Sequence, residues 1–286
     1  MTPQRTKRPP VPRRPRNSPT DRPARPAKAP GNAPATARKG GAALPREDGQ
    51  QRIAKLLARA GIASRREIER MIEDRRIALN GVNLTTPATL LDSLDGVTVD
   101  GKAVAPPAAA RLYCFYKPAG CLTAERDPKG RATIYDKLPQ GLPRLIPVGR
   151  LDYATEGLLL MTNDGELKRQ LELPSTGVVR TYRARAFGTV TQAALESLAE
   201  GVTIEGIRYG PINANLERRT GRNGWIEMSL TEGKNREVRN VLEHLGVQVS
   251  RLIRTAYGPF NLDGMTPGDV GEVPREILFR FRQTLG

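Results

Sequence analysis

The first aromatic residue is Tyr113, and all thirteen aromatics lie from there to the C-terminus. Aromatic side chains supply much of the area a large core buries, so the chain cannot fold uniformly along its length. Residues 1–50 hold twelve Lys/Arg against three Asp/Glu, eleven prolines, and only Met1, Val11 and Leu44 as sizeable aliphatics. Such a segment cannot bury enough apolar surface to offset its ordering entropy, and it reads as a disordered basic tail. Residues 51–104 carry aliphatic periodicity without aromatics, which suits a small module. The Pro/Ala-rich stretch over 105–112 reads as a linker, leaving 113–286 for a larger domain.

Formal net charge is +16, and beyond the tail 34 basic groups still outnumber 27 acidic ones. That bias is compatible with a nucleic-acid partner. Cys114, Cys121 and the single His244 give neither a disulfide framework nor a zinc ligand set. His244 would have to be the base of any nucleophile–histidine design, and it reads instead as a helix-end residue. No glycine-rich phosphate loop, internal repeat, secretory apolar segment or membrane-length run is present, and a reducing cytoplasm is the expected compartment.

In the small module, Ile53, Leu56, Leu57 and Ala60 share one helical face, with Gly61 suited to the position after the helix. Ser64 and Glu67 make a capping box for a second helix whose buried stripe is Ile68, Met71 and Ile72. Asn80-Gly81 and Asp100-Gly101 each signal a tight hairpin. Residues 51–80 hold eight basic and four acidic groups, so i,i+4 pairing on a solvated face does not neutralise them and RNA contact is favoured.

The larger domain mixes strand patterns ("LYCFYKP", "GLLLMT", "VVRTYRARAFG", "GWIEMSL", "VQVSRLIRTAYGPF") with helical ones ("TQAALESLAEG", "NREVRNVLEHLG"). No regular βαβ cadence appears, which predicts an α+β domain with a mostly antiparallel mixed sheet. Within it, "VGRLDYATEGLLLMTNDGEL" sets Asp152 on a connection between apolar segments, beside glycines and two residues after Arg150. An aspartate there is commonly a turn residue, so position alone does not make it reactive. Glu156, four residues on, invites a paired-carboxylate glycosidase reading; "DYATEG" enters a strand and nothing suggests a sugar cleft, so that reading is rejected.

Taken together, "KPAG", "DPKGRATIYDKLP", "VGRLDYATEGLLLMTNDGEL", "RTYRAR" and "EGKNREVR" resemble the pseudouridine synthases, in the bacterial ribosomal RNA branch. "AGIASRR" with "LNG", over about 51–104, resembles the αL RNA-binding domain that this branch places before its catalytic domain. The resemblance implies a pseudouridine synthase fold and isomerisation of uridine to pseudouridine without cofactor or metal. A monomer acting on ribosomal RNA, 23S first, or on pre-ribosomal particles is the implied assembly. Asp152 would be the reacting carboxylate, adding covalently or deprotonating the ribose. Arg239 would pair with it, since a guanidinium within ~4–6 Å keeps a carboxylate ionised. Tyr182 would stack on the uracil and take the carbon-5 proton, and Arg150 would brace the gap left by the flipped nucleotide. By the same resemblance, Lys55, Arg65 and Arg66 of the small module and Lys117, Lys129, Arg131, Lys234 and Arg236 of the larger domain would meet RNA phosphates. Glu237 and Arg180 stand where related chains often have Gln and Lys, departures expected to touch RNA contacts rather than chemistry.

Two other readings compete. One is a synthase for small-subunit (16S) rRNA; the other is a non-catalytic rRNA-binding or assembly protein, which the small module and tail alone would support. Retention of Asp152, Tyr182 and Arg239 together argues for the enzyme.

Overall fold

The computed structural model describes residues 49–285, so the tail expected over 1–50 lies, but for its last two residues, outside the described residues. The small module opens with α1 (Ile53–Arg59) and α2 (Arg65–Glu73). Ser64 Oγ accepts the amide of Glu67 at 3.3 Å, as the capping pattern predicts, while the Glu67 carboxylate turns to Arg70 at 3.2 Å instead of closing the box. Strands β1 (Ile77–Leu79), β2 (Val82–Asn83), β3 (Val97–Val99) and β4 (Lys102–Ala103) form an antiparallel sheet in the order β2-β1-β3-β4. Its two hairpin turns, Asn80-Gly81 and Asp100-Gly101, have both central residues at positive φ, the geometry that matches strand twist. Ile53, Leu57, Ile68, Ile72 and Ile77 are fully buried in a core built without one aromatic ring.

The larger domain contains β5 (Leu112–Lys117), β6 (Thr155–Thr162), α3 (Gly165–Glu172), β7 (Arg180–Phe187), α4 (Gln192–Glu196), β8 (Ile212–Thr220), β9 (Asn223–Leu230), α5 (Glu237–His244), β10 (Gln248–Tyr257), β11 (Val270–Glu272) and α6 (Arg275–Gln283). These strands run β8-β9-β7-β10-β6-β5-β11 in one sheet. Every neighbouring pair is antiparallel except β10 and β6. This is the α+β, mostly antiparallel fold that the sequence predicts.

Strand β6 is central, and all eight of its residues are buried. Leu158 and Leu160 pack with Leu167 and Leu171 of α3 and with Leu278 and Phe281 of α6. Leu159 and Met161 face the other way, with Phe115 and Leu151. Burial on both faces explains a continuous apolar run where a one-sided strand would alternate; each such leucine contributes ~1.5–3 kcal/mol. Gly157 lies at φ +110°, and a Cβ there would sit 2.3 Å from the Arg254 carbonyl oxygen, so the close parallel approach of β6 to β10 requires glycine. On β7 the faces separate: Tyr182, Ala184 and Ala186 pack toward α4 and α5, while Arg183, Arg185 and Phe187 alternate to the opposite face.

The small module meets the sheet domain through α1 and α3. Lys55 Nζ lies 2.8 Å from Glu166, and Arg59 Nε lies 3.3 Å from Asp164. Asp164 also caps α3, accepting the amides of Glu166 and Leu167 at 2.8 and 2.9 Å. Lys55, expected to meet RNA, thus stands part-exposed in an inter-module ion pair. No helix among the described residues is long and apolar enough to cross a membrane.

Candidate active site

Asp152 sits on the turn that feeds β6, its side chain 40% exposed. The backbone beneath it is fixed from several directions. Gly149, at φ +68°, donates its amide to Glu172 at 2.6 Å. Thr123 Oγ1 donates to the Leu151 carbonyl at 2.8 Å and accepts the Leu151 amide at 3.2 Å. The Thr155 amide closes the turn on the Asp152 carbonyl at 3.0 Å. Lys117, fully buried at the end of β5, donates to the carbonyls of Thr155, Pro118 and Asp152 at 2.8, 3.1 and 3.2 Å. Burial pulls its ammonium pKa down, with the nearby Cys121 thiol and the Asp152 carboxylate opposing. Lys117 is thus corrected: it has no surface to offer a phosphate, and it clamps the Asp152 turn from inside.

The opposite wall comes from the segment entering α5. Arg236, in the left-handed region at φ 52°, places Nη1 3.7 Å from Asp152 Oδ2. Arg239, one turn along α5, is buried; its Nη1 donates to the Val249 carbonyl at 3.1 Å, and its Nε has no partner among the described residues. Burial pulls the Arg239 pKa down, the Arg236 charge adds to that, and Asp152 acts against both. Arg239 therefore feels the carboxylate as expected, but Arg236, read from sequence as a phosphate ligand, makes the direct ion pair. Tyr182 is half-buried on β7 and packs against the cluster that holds Leu151, the neighbour of Asp152. Carboxylate turn, phenol and two guanidinium groups thus converge on one side of the sheet.

A buried device supports Arg236. The Glu237 carboxylate accepts the Lys234 amide at 2.8 Å, and Glu232 accepts the Gly210 amide at 2.6 Å and pairs with the Lys234 ammonium. Burial, with the neighbouring Glu232 carboxylate adding, pushes the Glu237 carboxyl up to about 7. Glu237 and Arg180 are both buried, Arg180 donating to Tyr257 Oη at 2.9 Å and to the Thr231 carbonyl. Those two departures act on the interior, contrary to the expected effect on RNA contacts.

The remaining sequence candidates lie on the surface. Arg65, Arg66, Lys129 and Arg150 are exposed. Arg131 is forked onto Asp127 at 2.9 and 3.0 Å, which holds that carboxyl down to about 2. Lys234 is spent on Glu232. Glu156 pairs with Arg251 at 2.5 Å, away from Asp152 as a partner, and His244 ends α5. No group of three or more His, Cys, Asp or Glu among the described residues is placed to hold a metal ion.

Residues 111–244 match the RNA pseudouridylate synthase family, and residues 51–99 match the S4 domain. An RNA pseudouridine synthase of Rickettsia bellii is 44% identical over 227 residues, covering 79% of this chain and 98% of its own length. The chain belongs to the RNA pseudouridine synthase family. The ribosomal large subunit pseudouridine synthases B of Pasteurella multocida and Salmonella typhi are 44% and 42% identical; each match covers 74% of this chain, with 63% and 75% of theirs. A crystal structure of a pseudouridylate synthase shares the fold at a TM-score of 0.57 and 23% identity, over 82% of this chain and 99% of that one.

The supports of the Asp152 turn leave little trace in the sequence. Lys117 and Thr123 lie 35 and 28 residues from their main-chain partners at Asp152 and Leu151, so no local pattern links them. Besides the "KPAG" motif, the sequence shows only a lysine closing an apolar strand, which reads equally as a surface residue.

Proposed function

We propose that this synthase isomerises a uridine of large-subunit (23S) ribosomal RNA, as a monomer, with Asp152 as the reacting carboxylate. The observation that carries the reading is the Asp152 turn: its main chain is anchored by Lys117 and Thr123 while its carboxylate stays part-exposed beside Arg236. A reacting group held in one geometry removes much of the entropic barrier to reaching the sugar.

In the reaction the bond from ribose carbon 1′ to uracil N1 breaks, the base turns, and a new bond forms from carbon 1′ to carbon 5. The proton leaves carbon 5 and N1 gains one, so atoms balance without oxidant or energy source. Asp152 stabilises or captures the electron-poor sugar, and the cations of α5 favour its ionised form. Tyr182 stacks on the detached uracil and takes the carbon-5 proton. Arg150, exposed two residues before Asp152, fills the space vacated by the flipped nucleotide. Arg65, Arg66 and Lys129 bind phosphates. The synthase B names of the relatives at 42–44% identity favour the large subunit over the small one.

Mapping pseudouridines in rRNA from cells with and without the protein tests the substrate. Loss of a 23S site supports the reading. Loss confined to 16S rRNA transfers the activity to the small subunit, and an unchanged map leaves only a binding or assembly role.

A further inference from the structure

Four adjacent strands carry a row of side chains on the sheet face opposite Tyr182. In register across β8, β9, β7 and β10 stand Arg218, Trp225, Arg185 and Arg251. With Thr220 and Asn223 they line a cleft of about 240 Å³. Arg185 and Arg251 are directly opposed, an arrangement of like charges that destabilises an isolated sheet. The acids on this face compensate it only in part, at Arg251. Glu156 is taken by Arg251 and Glu217 by Arg183, leaving Glu227 exposed across from Arg183. Among the described residues, Arg185 and Arg218 have no ion-pair partner, and both are exposed. Two arginines also lie over aromatic rings: Arg183 is 5.0 Å from the Trp225 ring centroid and Arg222 is 4.8 Å from that of Phe187.

We propose that this row is a second RNA-binding surface, which takes the phosphodiester backbone of the substrate RNA beyond the target nucleotide. Uncompensated guanidinium groups beside aromatic rings on an open sheet are the chemistry that single-stranded RNA uses, phosphates meeting the arginines and bases the rings. An acidic protein would satisfy the charge but would make no use of the aromatics. The surface lies away from the reacting carboxylate, so it governs how long RNA is held rather than the chemical step.

Trp225 is the only tryptophan in the chain, so its fluorescence reports this face alone. Titration of the full-length protein with an oligoadenylate RNA, which has no uridine to enter the catalytic cleft, should quench Trp225 saturably. The double variant Arg185→Gln/Arg218→Gln should weaken that binding about tenfold and lower its salt slope by ~1.4, at ~0.7 per single-strand phosphate contact. Single-turnover isomerisation at saturating rRNA should stay within twofold, roughly 0.4 kcal/mol in barrier. Unquenched fluorescence, an identical titration in the variant, or equal quenching by polyglutamate of matched charge would each overturn the proposal. Because the tryptophan signal does not depend on turnover, a failed isomerisation assay would count against Asp152 chemistry and not against this surface.

Discussion

The turn carrying Asp152 and the loop carrying Arg236 face each other at 3.7 Å, yet they are held by different means. The Asp152 turn rests on Lys117 and Thr123, two buried groups that donate to main-chain carbonyls. The Arg236 loop rests on Glu237 and Glu232, carboxylates that crowd each other and bind amides of the loop and its neighbour. One wall is anchored by a cation that stays where it is. The other depends on a carboxyl group whose charge changes near neutral pH. The contrast indicates that the carboxylate proposed to react is held firmly, while the cation that partners it is the part solution conditions can move.

Removing the rigid wall should have the largest effect. Lys117→Met keeps the buried length but removes one donor from each of three carbonyls. Displacing the Asp152 turn should lower kcat by about 100-fold with RNA affinity little changed. A variant that bound RNA poorly but turned over normally would instead restore the phosphate role. Next comes Glu237. Its carboxyl is raised in the fold to about 7, so the stability it contributes is present below its ordinary range and lost as pH rises through about 7. Glu237→Gln keeps the acceptor for the Lys234 amide and removes the charge. Urea unfolding on either side of that pH should show the wild type losing on the order of 1–3 kcal/mol relative to the variant. Parallel profiles would break the comparison between the walls.

Arg236→Gln should slow turnover by about tenfold, ~1.4 kcal/mol in barrier, since the ion pair is half exposed and Arg239 still lies behind it. The same substitution at Arg239 should also disturb folding, because its Nη1 holds the Val249 carbonyl inside the domain. Circular dichroism melts separate the two. The smallest change belongs to Lys55→Ala, which removes one part-exposed contact to Glu166 and should alter stability by less than ~1 kcal/mol. A larger loss would make the contact between modules more than an accessory.

Legibility in sequence followed the range of the interactions. Helices α1 and α2, the Asn80-Gly81 and Asp100-Gly101 hairpins, and strands β5, β6, β7, β9 and β10 follow local rules, and each lies where its pattern predicts. Strand β8 went unread although "INANLE" alternates apolar and polar, because the strand closes on "ERRT", four polar residues that are all exposed. Helix α3 was hidden behind Asn163-Asp164-Gly165, where Asp164 looked like part of a turn but caps the helix. In the candidate site, family resemblance points to Asp152, Tyr182 and Arg239, and the structure brings them to one side of the sheet. The buried place of Lys117 and the ion pairs of Lys55 and Arg236 leave no local pattern, since burial and partners far along the chain decide them.

The direct test of the central claim is single-turnover tritium release from rRNA labelled at uracil carbon 5, comparing the wild type with Asp152→Asn at saturating enzyme. The account predicts release by the wild type, loss of at least ~10⁴-fold in the variant as for removal of a covalent nucleophile, and equal RNA binding by both. Release from the variant within tenfold of wild type would contradict it.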